Sequence, residues 1–121
     1  AGDVLAVLDE TAFRLAAERT PGILTRYFTE GEQAYAERRR DPTERYAARF
    51  AAKEAVMKAL GVGLGACALS DIEVIRDEDS GAPDLRLHGK AAVLAEERGV
   101  TAWRISLTHT DTAAHAIVIA V

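Results

Sequence analysis

The sequence contains a single cysteine, Cys67, among its 121 residues. One cysteine cannot form a disulfide within the chain, and it cannot supply a four-cysteine zinc site. This scarcity is typical of proteins in a reducing compartment, so we expect a cytoplasmic location. No basic residue stands close to Cys67 in the sequence to activate it, which predicts a structural thiol rather than a nucleophile.

Long apolar runs and an excess of positive charge are also missing. No stretch approaches the roughly 20 apolar residues of a membrane-spanning helix, and the start, Ala1-Gly2-Asp3, does not resemble a signal peptide. The net charge is -4, whereas proteins that bind nucleic acid through phosphates are usually basic. The basic run Arg38-Arg39-Arg40 is short and typical of a solvated helix end. We therefore expect neither a membrane nor a nucleic-acid partner.

The composition that remains is that of one folded domain. Hydrophobic residues make up 49% of the chain and charged residues 28%, which is usual for a soluble globular protein. A chain of 121 residues can bury a core without disulfides or metals. We predict a single domain over residues 1–121.

Capping residues and glycines predict helices mainly in the first half of the chain. Thr29 and Glu32 have the spacing of a capping box, and Gly61 ends a long segment without glycine or proline. Helices are predicted at 9–19, 29 to about 39, 43–60 and 90–98, and a further short helix is predicted to begin at 20–21. The predicted strands are 4–8, 72–75, 84–87, 103–107 and 115–121. Helices followed by strands favour an α+β fold, with an antiparallel sheet packed against the long helix.

The long predicted helix holds the residues best suited to chemistry. Glu54 and Lys58 lie one turn apart on one ridge, and Arg49 and Lys53 lie one turn apart on another. A Glu–Lys pair at this spacing is most often a surface ion pair that contributes about 0.2–0.5 kcal/mol. The alternative is a ligand site, because alanines beside Lys53 and Glu54 would let a ligand approach closely.

Other common sites find little support. The glycines at 61, 63 and 65 follow a helix, whereas a dinucleotide-binding loop follows a strand and opens a helix. Neither a Walker phosphate loop nor the GxSxG motif of a serine hydrolase occurs. His109 stands in a predicted turn at 108–112, where it is either an ordinary turn histidine or a ligand contact. Asp3 could bind Mg²⁺ together with Glu54, or be a solvated terminal carboxylate.

Taken in order, these motifs resemble a known family. They are an aspartate at the first strand, the block RFAAKEAVMKALGVGLG from Arg49 to Gly65, the DIEV strand, a GxP hairpin turn, and SLTHT from Ser106 to Thr110. The order is similar to that of the holo-[acyl-carrier-protein] synthases, the small trimeric class of 4'-phosphopantetheinyl transferases.

The resemblance implies a fold and an activity. The enzyme would be a homotrimer of the phosphopantetheinyl transferase fold with active sites between subunits. It would transfer the 4'-phosphopantetheine arm of coenzyme A to a serine of an apo carrier protein, with Mg²⁺. The implied catalytic residues are Glu54 and Lys58, and the implied metal ligands are Asp3 and Glu54. The implied coenzyme A contacts are Arg49, Lys53, Gly61, Gly63, Gly65, His109 and Thr110.

The N-terminal region departs from the family pattern. Asp3 lies about three residues further from the following helix than the pattern has it, so Asp9 is the alternative metal ligand. A basic residue expected just after the first strand is absent, which leaves Arg14, Arg19 and Arg26 as candidates for carrier docking. These departures keep two other hypotheses open: a catalytically silent trimeric module that binds coenzyme A or a carrier protein, and a structural oligomer. Fatty-acid and polyketide carriers are both compatible with the sequence, as are a free-standing enzyme and a domain of a larger synthase.

Overall fold

The computed structural model describes residues 3–121, except for the side chains of residues 3–5, 7 and 8. Five helices and five strands make up this part of the chain, and four of the helices follow one another after the first strand. They are β1 Asp3–Asp9, α1 Glu10–Arg19, α2 Ile23–Tyr27, α3 Glu30–Ala36, α4 Thr43–Leu60, β2 Ile72–Arg76, β3 Pro83–Leu87, α5 Gly89–Glu97, β4 Trp103–His109 and β5 Ala113–Ala120. A single 3-10 turn, Leu69–Asp71, precedes β2. The predicted α+β class is confirmed.

The capping box at the start of α3 and the glycine at the end of α4 formed as the sequence predicts. The Thr29 hydroxyl accepts from the Glu32 backbone N–H at 3.1 Å, and the Glu32 carboxylate accepts from the Thr29 N–H at 3.0 Å. Gly61 ends α4 with φ of 72°, a left-handed conformation that costs glycine least. These signals are local, so the sequence suffices to place them.

Two helix predictions needed correction. Thr20 does not begin a helix; its N–H donates to Ala16 and ends α1, and α2 starts later, after Gly22. The third helix ends at Ala36 rather than near residue 39. The N–H groups of Arg38 and Arg39 bond three residues back instead of four, so the chain tightens into turns there.

The antiparallel sheet is divided in two. One sheet has three strands in the order β1-β5-β4, and the other consists of the hairpin β2-β3. In the first sheet Ile117 of β5 pairs with Leu5 of β1 and Ser106 of β4. A cavity of about 290 Å³ lined by Leu85, Leu87 and Trp103 lies where β3 approaches β4.

Small side chains let α4 lie close on the three-stranded sheet. The inward residues of β5 are buried at every second position: Ala114, Ala116, Val118 and Ala120. Of these, Ala114, Ala116 and Val118 share clusters with Ala47, Ala51 and Ala55 of α4. A second cluster is aromatic and joins α1 and α2 to α4, with Phe28 and Tyr46 at 4.8 Å between ring centroids. This packing makes α4 the central element of the fold.

Candidate active site

Glu54 and Lys58 lie on α4 without contacting one another. Glu54 is half-buried and Lys58 is exposed, and no ion pair within 4 Å joins them among the described side chains. Burial raises the pKa of the Glu54 carboxyl, and the charge of Lys58 opposes this shift. The surface ion pair that the spacing allowed is therefore not formed, and no cationic group lies within 4 Å of the Glu54 carboxylate among the described side chains.

Lys53 is placed differently from its prediction as a coenzyme A contact. Its side chain is 0% exposed. Its ammonium donates to the Glu32 carboxylate at 2.8 Å, to the Leu69 carbonyl at 3.0 Å and to the Ile72 carbonyl. Burial lowers the pKa of Lys53, while Glu32 opposes this change. Such a position does not fit contact with a bound ligand, so we exclude Lys53 from the proposed binding residues.

Arg49, one turn earlier on α4, is also buried but has few hydrogen-bond partners. It is 5% exposed, and its guanidinium lies 4.3 Å from the centroid of the Tyr35 ring. Its Nε is buried and has no hydrogen-bond partner among the described residues, and Nη1 reaches only the Arg45 carbonyl, at 3.4 Å. Burial lowers the pKa of Arg49. An incompletely bonded buried guanidinium is well suited to receive an anion.

A cavity of about 230 Å³ lies beside Arg49 and is rich in arginine. Arg39, Arg45 and Arg76 contribute to its wall together with Tyr35 and Glu44. Sequence analysis did not identify these three arginines as site residues. They lie on separate segments: Arg39 follows α3, Arg45 is in α4 and Arg76 is in β2. Their convergence depends on the tertiary fold.

His109 and Thr110 lie at the end of β4. His109 is the last residue of that strand rather than part of the turn, and its Nε2 lies 3.1 Å from the Glu44 carboxylate. Because Glu44 also lines the arginine-rich cavity, His109 is connected to that cavity. The Thr110 hydroxyl accepts from the Ala113 N–H at 3.1 Å, which is an ordinary turn contact.

The glycine loop after α4 is open on its outer side. Gly61 and Gly65 have positive φ, and a Cβ placed at either of them or at Gly63 would meet nothing within 4 Å. Positions 61 and 65 therefore need glycine for backbone conformation. The loop leaves room for a ligand but does not itself enclose one.

The predicted metal site is described only in part. The side chain of Asp3 lies outside the described residues, and its backbone pairs with Ile119 of β5. Asp9 caps α1 by accepting from the Ala12 N–H at 3.0 Å. No cluster of three His, Cys, Asp or Glu residues was found within the described part of the chain. Glu54, a half-buried carboxylate without a cation partner among the described side chains, has the donor chemistry that Mg²⁺ prefers.

The basic residues considered for carrier docking differ in their contacts within the chain. The Arg14 guanidinium makes two bonds to the Asp41 carboxylate, at 3.2 and 2.9 Å. This contact holds the pKa of Asp41 far below its usual range. Arg19 and Arg26 are exposed. Asp41 therefore largely neutralises the charge of Arg14. A surface that binds an acidic partner is expected to have basic residues without such a partner.

Cys67 is buried, as its prediction as a structural residue requires, and burial raises the pKa of its thiol. A protonated thiol is a poor nucleophile.

Across the described part of the chain, we found no helix with the length and apolar character needed to cross a bilayer.

Comparison with known proteins gives the family. A family model described as the 4'-phosphopantetheinyl transferase superfamily matches residues 10–119. The chain is 45% identical to the holo-[acyl-carrier-protein] synthase of Moorella thermoacetica over 111 residues, which cover 92% of this chain and 86% of the relative. It is 48% identical to the synthase of Desulforudis audaxviator over 109 residues, 89% of this chain and 82% of the relative.

The fold also matches a solved structure, the ACPS–CoA complex of Chronobacterium ammoniagenes. The TM-score is 0.87 at 26% identity, and the match covers 97% of this chain and 93% of the other. The matches in sequence and fold extend over nearly the same residues. The chain therefore belongs to the 4'-phosphopantetheinyl transferase superfamily.

Proposed function

We infer that this chain is a holo-[acyl-carrier-protein] synthase: it transfers the 4'-phosphopantetheine arm of coenzyme A to a serine of an apo acyl carrier protein. The observation that carries this inference is the 45–48% identity to two such synthases over about nine-tenths of the chain. We propose that residues 1–121 form one catalytic domain and that it acts in the cytoplasm, which the low cysteine content supports.

The reaction is a phosphoryl transfer. The serine oxygen bonds to the β-phosphorus of coenzyme A, the pyrophosphate bridge breaks, and adenosine 3',5'-bisphosphate leaves with the bond electrons. Catalysis of such a step consists mostly of positioning and of neutralising charge. Glu54 is the proposed acceptor of the serine proton, directly or through water. Lys58, one turn further along α4, is the proposed group that stabilises the leaving phosphate.

Mg²⁺ is the proposed metal, with Glu54 and Asp3 as the carboxylates that would hold it. When bound, the ion supplies positive charge to the pyrophosphate oxygens. Two carboxylates from the chain would suffice, because proteins usually hold Mg²⁺ with one or two carboxylates together with substrate phosphates. The half-buried carboxylate of Glu54 supports this assignment.

Arg49 is the proposed contact for a phosphate of coenzyme A. Its buried and incompletely bonded guanidinium, beside a cavity of about 230 Å³ with three further arginines, supports the proposal. His109 and Thr110 are proposed to lie along the same ligand. The glycine loop at 61, 63 and 65 is proposed to give the ligand its path past the end of α4.

We propose a homotrimer in which a second copy covers the outer face of the three-stranded sheet. Ile117 is 44% exposed in the middle of that face, and His115 and Ile119 of β5 are half-buried on the same side. An apolar residue in the centre of an uncovered sheet supports contact with another subunit.

The activity can be tested by intact mass spectrometry of an apo carrier protein incubated with the chain, coenzyme A and Mg²⁺. The expected result is a gain of one phosphopantetheine mass that chelator prevents. A carrier with its acceptor serine replaced by alanine is the control. Carriers from fatty-acid and polyketide systems should both be offered. If none gains mass while coenzyme A still binds, the silent binding module is the correct function.

A further inference from the structure

Lys53 has no hydrogen-bonding capacity left for a substrate. An ammonium group offers three N–H donors. In Lys53 these have three partners within the chain: the Glu32 carboxylate, the Leu69 carbonyl and the Ile72 carbonyl. Its nitrogen also lies 5.3 Å from the centroid of the Phe28 ring, which closes the remaining side. A residue bound in this way acts on the structure around it.

Glu32 is bound just as completely. One carboxylate oxygen accepts from Lys53 and from the Thr29 N–H at 3.0 Å, and the other accepts from the Val74 N–H at 3.0 Å. Glu32 is 1% exposed. The pair therefore joins α3, α4 and β2 through directional bonds in the interior.

The opposite side of α4 packs through small apolar side chains. There the contact with β5 is formed by methyl groups, with Ala47, Ala51 and Ala55 against Ala114 and Ala116. Hydrophobic contact is not directional, and short side chains interlock only weakly. Hydrogen bonds, in contrast, weaken steeply when their geometry is disturbed. Tyr46, Met57 and Leu60 of α4 also pack in the core, but the bonds of Lys53 are the fully buried directional contacts among the described side chains of this helix, so they define its rotation most sharply.

We propose that Lys53 and Glu32 are positioning residues for the transfer reaction: their ion pair fixes the rotation of α4 and thereby the direction of the Glu54 carboxylate. The proposal rests on the proposed function, in which Glu54 is catalytic. Lys53 and Glu54 are neighbours on the helix, so their directions differ by a fixed angle of about 100°. Holding Lys53 inward holds Glu54 at that angle from it.

The expected effect follows from the size of a helix. A glutamate carboxylate lies about 6 Å from the helix axis, so a rotation of about 10° moves it by about 1 Å. A displacement of about 1 Å in a reacting group can slow catalysis by about 100-fold. A small rotation after loss of the pair would therefore be visible in kcat.

The test compares Lys53→Met, Glu32→Gln and the double variant with the unchanged chain. Lys90→Met on α5, an exposed lysine, is the matched control. Transfer to an apo carrier is followed by intact mass to obtain kcat and the KM for coenzyme A. Binding of coenzyme A in the presence of chelator is measured by calorimetry, which gives a readout independent of the reaction.

We expect Lys53→Met to lower kcat by about 100-fold. The KM and the Kd for coenzyme A should change less than kcat, by no more than about tenfold, because Arg49 turns with the same helix but is only one of several contacts with the ligand. Glu32→Gln should have a similar effect. The double variant should be little worse than either single variant, because both break one interaction. Lys90→Met should behave as the unchanged chain.

Folding is checked by circular dichroism and thermal unfolding. If Lys53→Met does not fold because Glu32 is left buried and unpaired, the double variant carries the test, since it removes both charges. Normal kcat in a folded variant, even with lowered thermal stability, overturns the proposal. So does a Kd for coenzyme A weakened at least about 10-fold with unchanged kcat, because Lys53 would then bind the ligand.

The unchanged chain is measured first and separates the two levels of inference. If it binds coenzyme A but transfers nothing to any carrier, the proposed function fails, and the positioning of a catalytic Glu54 fails with it. If it transfers normally and the variants do too, only the positioning proposal is overturned.

Discussion

Arg49 and Lys53 stand one turn apart on α4, and both are buried cations, yet their surroundings are opposite. Lys53 has three partners for three donors. Arg49 stacks on Tyr35 and keeps an Nε without a partner among the described residues. Burying a charge is costly unless it is paired and hydrogen-bonded. The difference supports the proposals that Lys53 serves the fold and that Arg49 binds an anionic group of the substrate.

Glu54 extends the comparison, and its removal should have the largest effect. Glu54→Gln keeps the shape of the side chain but removes its charge, and we expect transfer to fall by about 1,000-fold. Burial raises the pKa of this carboxyl, so its charge opposes folding above that pKa and the neutral glutamine should not destabilise the chain. Glu97→Gln on α5 is the control. A rate near that of the unchanged chain would contradict the proposed role of Glu54, and melting curves would show that both variants stay folded.

The role of the Lys53–Glu32 ion pair can be tested by measuring stability. Lys53→Met leaves the Glu32 carboxylate buried without its cation, and we expect a loss of about 3–5 kcal/mol in the free energy of unfolding. The double variant with Glu32→Gln should recover part of this loss, because no charge is left unpaired. Urea unfolding measures both. Equal stability of the unchanged chain and Lys53→Met would show that the ion pair contributes nothing to the fold.

Replacement of Arg49 should change the affinity for coenzyme A rather than the stability. Arg49→Met removes a guanidinium that makes few bonds within the chain, so we expect little change in stability. The affinity for coenzyme A should fall by about 10- to 100-fold, the range of a hydrogen bond to a charged group. Calorimetry against coenzyme A and against its dephospho form would check this and show which phosphate is involved. Unchanged affinity for both ligands would remove Arg49 from the proposed site.

The smallest effect is expected at the exposed pair of Arg14 and Asp41. Arg14 lowers the pKa of Asp41 in the folded chain, so the pair adds stability above the unfolded-state pKa of about 3.8. This contribution is lost as the pH falls towards the folded-state value. Both side chains are about half-exposed, and solvent screening keeps the gain small. Arg14→Gln should flatten the acid side of the stability profile slightly, as measured by urea unfolding at pH 7 and pH 3.

The same mutation sharpens the carrier-docking hypothesis. If Arg14 is held by Asp41 and does not meet the carrier, Arg14→Gln should leave the KM for the carrier within about twofold, whereas Arg19→Gln or Arg26→Gln should raise it. A larger effect of Arg14→Gln on the KM would show that the carrier displaces Asp41.

Several features were fixed by residues close together in the sequence. The capping box at Thr29 and Glu32 and the end of α4 at Gly61 were predicted correctly, because each depends on backbone groups within a turn or two. The RFAAKEA block pointed to the family for a similar reason, since its residues keep fixed spacing on one helix. The sequence alone therefore determined the fold class, the main helix and the candidate catalytic residues.

Tertiary structure decided what each charge does. Glu32 was visible only as half of a capping box, yet it also binds Lys53, 21 residues away, and Val74, 42 residues away. Helical spacing placed Lys53 on the same ridge as Arg49 and could not show that one would be saturated and the other not. Burial and hydrogen bonding depend on contacts between distant segments, and only the packed fold brings those segments together.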